Sequence, residues 1–226
     1  MQVKICGITQ IEQGVAIARL GAAALGFICV QTSPRYVEPP KIRAVVEAVQ
    51  ADLLSLTQGQ MPLFVGVFAN APLNQIKSTV AIAGLTAVQL HGDESPQFCR
   101  QLLNTLPQVK LIKAFRVKHA KTLEQIGAYQ NSVDGFLLDA YHPHQLGGTG
   151  HRLDGALLKE FQPGKAWFLA GGLNPSNIAE ALALLQPNRP DGIDLSSGVE
   201  RSPGDKDMAK VAQLFKMLEA RSYSSS

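Results

Sequence analysis

Val3-Lys4-Ile5-Cys6-Gly7-Ile8-Thr9 opens the chain as a strand that stops abruptly. Val3, Ile5 and Ile8 are β-branched, which suits a pleated, half-buried surface. Side chains alternate across a strand, so Lys4 and Cys6 share one face and Val3 and Ile5 the other. Gly7 ends the strand, and Thr9 is the expected N-cap of the helix that follows. The stretch therefore sets a thiol at the carboxyl end of a strand, just ahead of a helix. In α/β proteins, chemistry collects at that end. A lone cysteine also has a plain structural reading, because free cysteine is among the most buried residue types.

The rest of the chain repeats this unit. Ile11, Val15, Ala18 and Ala22 recur at helical spacing, with Gly21 near the helix end. Apolar strand patterns begin near residues 2, 24, 62, 87, 109, 134, 166 and 192, with a helical pattern after each. The helices are expected near 41–56, 72–83, 95–103, 118–129, 152–161, 174–185 and 205–220. Ser95 should cap the helix that starts at Pro96. Parallel strands need helical crossovers, and eight such units close into a (β/α)8 TIM barrel. The alternative is an open doubly wound sheet, which usually carries a GxGxxG turn that this chain lacks. A single barrel domain over residues 1–221 is expected, with 222–226 as a frayed tail.

The totals bound the rest. A chain of 226 residues, 46% hydrophobic and 17% charged, has enough apolar material for a packed core. The net charge is +3 with no dense Lys/Arg cluster, so a nucleic-acid partner is not expected. No apolar run reaches the ~20 residues of a membrane span. The amino terminus lacks a signal-peptide pattern. The three cysteines, Cys6, Cys29 and Cys99, form no CxxC pair and suit a reducing, cytoplasmic setting.

In a barrel, the loops after the strands share one rim. Cys6, Arg35, Gln89, His91 and Asp139 fall there, together with the turns Gly147 to Gly150, Gly171-Gly172 and Ser196-Ser197-Gly198. Glycine turns after late strands let backbone N–H groups approach a phosphate, although tight turns favour glycine too. Asp139 ends an apolar strand, where a carboxylate is costly unless it is used, paired or capping a loop. Arg35, between Pro34 and Tyr36, carries a fork that fits a carboxylate, or it is simply solvated. His91 has no second ligand at metal spacing, so no metal is expected.

Lys4-Ile-Cys-Gly-Ile-Thr9, Ser33-Pro-Arg-Tyr36, Val65-Gly-Val-Phe68, Val88-Gln-Leu-His-Gly92, Leu137-Leu-Asp139, Gly147-Gly-Thr-Gly150, Gly171-Gly-Leu-Asn-Pro175 and Asp194-Leu-Ser-Ser-Gly-Val-Glu200 together resemble the phosphoribosylanthranilate isomerase family. The resemblance runs in order along nearly the whole chain. It implies a (β/α)8 barrel of tryptophan biosynthesis that works without cofactor or metal on a small phosphoribosyl substrate. The reaction is the Amadori rearrangement of N-(5-phosphoribosyl)anthranilate to 1-(2-carboxyphenylamino)-1-deoxyribulose 5-phosphate. Position by position it implies Cys6 as general base, Asp139 as general acid and Arg35 at the anthranilate carboxylate. Gln89, His91, Gly148, Gly150, Gly171, Gly172, Asp194, Ser196, Ser197 and Gly198 are the remaining expected substrate-binding residues. After Gly150 the chain departs from the family, with Leu153 and Gly155 where aromatic residues are usual.

Other phosphosugar barrels stay open as alternatives. An epimerase would need metal ligands, and a relative of indole-glycerol-phosphate synthase would need a rim lysine where this chain offers Cys6. A barrel that binds a phosphoester without catalysis need not keep Cys6, Asp139 and Arg35 together. A monomer is expected, with a homodimer as the alternative. Finally, if Cys6 points into the barrel mouth, Lys4 lies below it on the inward face, where an unpaired charge would be too costly; the alternative is that Lys4 reaches past the strand end into water. Strand eight, beside strand one in a closed barrel, carries the carboxylate Asp194, so the two should pair. The ammonium should favour the Cys6 thiolate, and the carboxylate should limit that effect.

Overall fold

A computed structural model describes residues 1–56, 60–117, 120–139, 158 and 161–223. Eight strands, β1 (Gln2–Cys6), β2 (Ala24–Ile28), β3 (Leu63–Phe68), β4 (Ala87–Leu90), β5 (Lys110–Arg116), β6 (Gly135–Asp139), β7 (Trp167–Ala170) and β8 (Gly192–Leu195), pair in parallel in chain order. β8 returns to pair with β1, with Val3 opposite Ile193 and Lys4 opposite Asp194. That closure excludes the open doubly wound sheet and makes the fold a TIM barrel.

The described outer helices are α1 (Ile11–Arg19), α2 (Pro39–Leu54), α3 (Leu73–Ala83), α4 (Pro96–Thr105), α5 (Ala120–Ile126), α6 (Ile178–Leu184) and α7 (Met208–Tyr223). Their starts follow local chemistry. Pro39 and Pro40 open α2, where a missing N–H costs nothing. Ser95 caps α4 by accepting from the Phe98 N–H at 3.2 Å.

Several boundaries differ from the sequence reading. Thr9 does not cap α1. Its hydroxyl donates to the Gly204 carbonyl at 2.5 Å, which ties the first loop to the last, and Gln10 takes the N-cap position. The helix expected over 118–129 is α5, followed by a 3-10 turn over Gly127–Ser132, since Gly127 weakens the α ladder. The helix expected from 174 begins at Ile178. Asn174 holds the preceding turn instead, its side-chain oxygen accepting from the Ser176 and Asn177 N–H groups. The last helix starts at Met208 and not at 205, because β9 (Glu200–Ser202) and β10 (Asp205–Lys206) form a small antiparallel hairpin first. It continues through Ser222 and Tyr223, where no Gly or Pro interrupts it, so those residues belong to the helix and not to a tail. The helix expected over 152–161 lies largely outside the described residues.

Strand alternation divides the core in two. Ile5, Leu25, Phe27, Phe64, Phe68 and Phe136 face outward and are fully buried under the helices, with Ile17, Val45 and Ile76 among their partners. The inward set is small and sparse. Ala24, Val65 and Ala87 form one group, and Ala114, Leu137 and Ala170 another, packed with Ile112 and Phe168. Lys4 and Asp194 complete this interior as a buried ion pair at 2.9 Å. The expected pairing is therefore present.

Candidate active site

At the carboxyl ends of the strands lies a cavity of about 260 Å³. Cys6, Arg35, Gln89, His91, Asp139, Gly171, Gly172, Asp194, Ser196, Ser197 and Gly198 all line it. The structure thus brings together every rim residue singled out from the sequence except the turn Gly147 to Gly150, which lies outside the described residues, as do Leu153 and Gly155.

Cys6 ends β1, pointing inward above Lys4. Gly26, its register partner on β2, leaves it room, because a Cβ there would approach Cys6 Sγ to 2.7 Å. Burial pushes the thiol above its ordinary value. Lys4 and Lys206 pull it back, and Asp194 adds to the rise. Lys4 acts in the expected direction, but burial outweighs it, because removing a thiolate from water costs more than one compensated ammonium returns.

Asp139 ends β6, with β7 and β8 between it and Cys6. His91 Nε2 lies 3.6 Å from Asp139 Oδ2, beyond hydrogen-bond length. The turn that carries His91 is held from beneath. The Lys113 ammonium donates to Gly92 O at 2.8 Å and to Glu94 Oε2 at 3.1 Å. Glu94 in turn accepts from the Asn70 and Gly92 N–H groups. Lys113 and Glu94 gave no sequence signal, since an isolated Lys in a strand and a Glu in a loop usually face water.

Arg35 reaches the cavity from the loop after β2. Its Nε and Nη2 grip the buried Glu200, with contacts of 2.6 to 3.0 Å. Those hydrogen bonds hold the guanidinium above its ordinary range despite partial burial. One edge of the Arg35 fork, Nε and Nη2, is therefore taken by the protein itself. Glu200 closes a quoted motif, yet no spacing marked it as a partner of Arg35. Lys206, fully buried against Glu200, was hidden in the polar run Asp205-Lys206-Asp207.

The turns after β7 and β8 bring glycine-rich backbone to the cavity. Gly171 and Gly172 both take positive φ, 99° and 62°, a turn that side chains rarely adopt. Ser197–Val199 follow β8 as a single 3-10 turn. Among the described residues, no three His, Cys, Asp or Glu side chains are grouped to hold a metal ion.

A closed barrel whose mouth gathers a thiol, a carboxylate, a guanidinium and glycine-lined backbone is laid out as an acid–base enzyme. Comparison with known proteins gives the family. Residues 3–217 match the family model described as N-(5'phosphoribosyl)anthranilate (PRA) isomerase, and the chain belongs to that family. It is 57% identical to the N-(5'-phosphoribosyl)anthranilate isomerase of Acaryochloris marina, covering 96% of this chain and 98% of that one. The enzyme of Trichormus variabilis is 56% identical over 98% of this chain and 100% of its own. Among solved structures, phosphoribosyl anthranilate isomerase from Thermotoga maritima superposes with a TM-score of 0.80 at 31% identity, covering 97% of this chain and 99% of that one. A further isomerase structure, in complex with reduced 1-(o-carboxyphenylamino)-1-deoxyribulose 5-phosphate, aligns with a TM-score of 0.77 at 29% identity over 97% and 99% of the two chains.

Proposed function

We infer that this chain converts N-(5-phosphoribosyl)anthranilate to 1-(2-carboxyphenylamino)-1-deoxyribulose 5-phosphate in tryptophan biosynthesis, with Cys6 as general base and Asp139 as general acid. The carrying observation is that both groups end barrel strands and line one cavity with Arg35 and the glycine turns. The furanose ring must open first, and Asp139 protonates its ring oxygen as the C1–O bond breaks. The Schiff base that results loses its C2 proton to Cys6, which acts as the thiolate, a minor form at neutral pH because burial raises the thiol. The enolamine then tautomerises to the ketone. Each proton transfer needs a group of suitable pKa within reach, and one acid and one base suffice.

Arg35 meets the anthranilate carboxylate through its Nη1 edge. The backbone of Gly171, Gly172 and Ser196 to Gly198 binds the phosphate, joined by Gly148 and Gly150. Gln89 and His91 line the wall near Asp139 and contact the sugar. Asp194 serves from below, through Lys4.

The expected state is a monomer. The alternative is a homodimer. One solved relative is described as monomers generated from a dimeric isomerase, and sedimentation of the purified protein separates the two states. The three free thiols suit a cytoplasmic setting. Among the described residues, no helix is long and apolar enough to cross a membrane.

The test is turnover. Purified protein given N-(5-phosphoribosyl)anthranilate, with chelator present and no cofactor added, should form the deoxyribulose product. No product above the uncatalysed rate would reject the assignment.

A further inference from the structure

Glu200 begins β9 and Lys206 ends β10, and the hairpin register sets them opposite each other. Their side chains meet at 2.7 Å, both fully or almost fully buried. Glu200 also accepts from Arg35 Nε and Nη2 and from the Gly204 N–H at 3.2 Å. Lys206 Nζ donates to the Cys6 carbonyl at 2.5 Å and lies 3.4 Å from the Ser196 carbonyl. One buried carboxylate is thus shared by the arginine at the cavity wall and by the ammonium that holds the end of β1. A further tie runs to the turn after β8.

Stability alone does not account for this arrangement. Apolar side chains of similar volume often serve a core as well as buried ion pairs do, because desolvation cancels most of the attraction. What a charged, multiply bonded cluster supplies is fixed orientation. Arg and Glu make two parallel contacts, which set the plane of the guanidinium. The ammonium donates to carbonyls of two neighbouring strand ends, which sets their spacing.

We propose that Glu200 and Lys206 are positioning residues. Glu200 orients Arg35 for the substrate carboxylate, and Lys206 fixes the backbone that carries Cys6. This rests on the roles assigned above to Arg35 and Cys6. The positive charges of Arg35 and Lys206 are only partly offset by Glu200, so the cluster also favours an anionic ligand at the cavity wall.

The closing experiment has two arms, the first independent of turnover. Binding of reduced 1-(o-carboxyphenylamino)-1-deoxyribulose 5-phosphate is measured by calorimetry for wild type, Glu200→Gln, Arg35→Ala and the double variant. Glu200→Gln should weaken binding about tenfold, as expected for losing a charged hydrogen bond. In the Arg35→Ala background it should add less than about twofold, because coupled residues are not additive. Glu200→Asp, which keeps the charge, should recover part of the loss. If Glu200→Gln does not fold, the same cycle is read with Glu200→Asp, whose smaller loss should likewise vanish without Arg35. Unchanged binding, or full additivity in either cycle, overturns the orienting role of Glu200.

The second arm is alkylation of Cys6 in Lys206→Met. Lys4, Asp194, Lys206 and the Arg35 guanidinium are the charged groups that act on this thiol, and only Lys206 is changed in this arm. Removing the Lys206 charge should move the pH midpoint of alkylation upward, which a purely structural role would not do. A midpoint equal to wild type overturns the Lys206 role. Turnover retained in Cys6→Ala would reject the base assignment instead, and leaves the first arm standing.

Discussion

Lys4 Nζ stands 2.9 Å from Asp194 Oδ1, and the two are register partners on the strands that close the barrel. The contact is an ion pair without well-aligned hydrogen-bond geometry at either atom. Burial works against the ammonium, but Asp194 and Cys6 beside it hold Lys4 above its ordinary range. Burial also raises the Asp194 carboxyl, and Lys4 pulls it back only in part. The two charges therefore depend on each other. Lys4→Met should cost about 3–5 kcal/mol of unfolding free energy, the usual penalty for stranding one member of a buried pair. Adding Asp194→Asn should return much of it. Urea titration checks both, and a single-mutant loss below about 1 kcal/mol would show that Asp194 does not need its partner.

Cys6→Ala and Asp139→Asn should each lower kcat by about 10²–10⁴-fold, the usual worth of one positioned proton-transfer group. KM should change little, because neither residue is assigned to ground-state binding. Steady-state kinetics on both variants decides this. Near wild-type turnover in either one removes that residue from the mechanism.

For Arg35 the expectation is a binding defect. Arg35→Ala should raise KM by the equivalent of about 1.5–3 kcal/mol, the range for a charged hydrogen bond. Lysine should restore only part, since it has no planar fork to hold against Glu200 while also meeting the substrate. An unchanged KM in Arg35→Ala would reject the carboxylate clamp.

The three thiols should also separate by pH. Burial pushes Cys29 up to about 12 and Cys99 up to about 11, and it raises Cys6 as well. A raised thiol stays protonated at neutral pH, and its nucleophilic thiolate appears only as pH rises. Cys6 alone of the three lines the cavity, so it should be alkylated first. Its rate should climb beyond the ordinary thiol midpoint of 9.0. Mass spectrometry of iodoacetamide-treated protein across pH measures the order. A midpoint below the ordinary value would mean that Lys4 and Lys206 outweigh burial after all.

What the sequence made legible follows from periodicity and end chemistry. Eight strand–helix repeats favoured a closed barrel over an open sheet, strand alternation set Lys4 on the face of Cys6, and closure brought it beside Asp194, the one carboxylate of β8. The same alternation placed Gln89 and His91 on one face of β4, at the rim that Cys6 and Asp139 also reach. What stayed hidden were partners that meet only through tertiary closure. Glu200 finds Arg35 across 165 positions of chain, and Lys206 finds the Cys6 carbonyl across 200. A lysine in a polar hairpin carries the same local signal whether it is solvated or buried, so Lys206 could not be told apart. Thr9 failed as a cap for a related reason, since its hydroxyl had a distant carbonyl to reach.

The last prediction concerns Gly198, in the turn expected to hold phosphate. Its conformation is ordinary, so the requirement for glycine here is one of space. A Cβ would fall inside van der Waals contact with the Leu173 carbonyl oxygen and would crowd Asn174 Cβ at 2.9 Å. Backbone cannot yield there as a flexible side chain would. Gly198→Ala must therefore push apart the turns after β7 and β8, which together carry the backbone assigned to the phosphate. The expected result is a KM rise of at least about tenfold, corresponding to about 1.4 kcal/mol, with the barrel intact by circular dichroism. Inorganic phosphate should also protect the variant against thermal unfolding less than it protects wild type, because only binding to the native state stabilises. Gly21→Ala offers a contrast. A Cβ there meets nothing within 4 Å, and the cost lies only in its φ of +87°, remote from the cavity. That variant should lose some stability while keeping KM. Equal KM values in Gly198→Ala and wild type would show that the turn tolerates the displacement and that phosphate is held elsewhere.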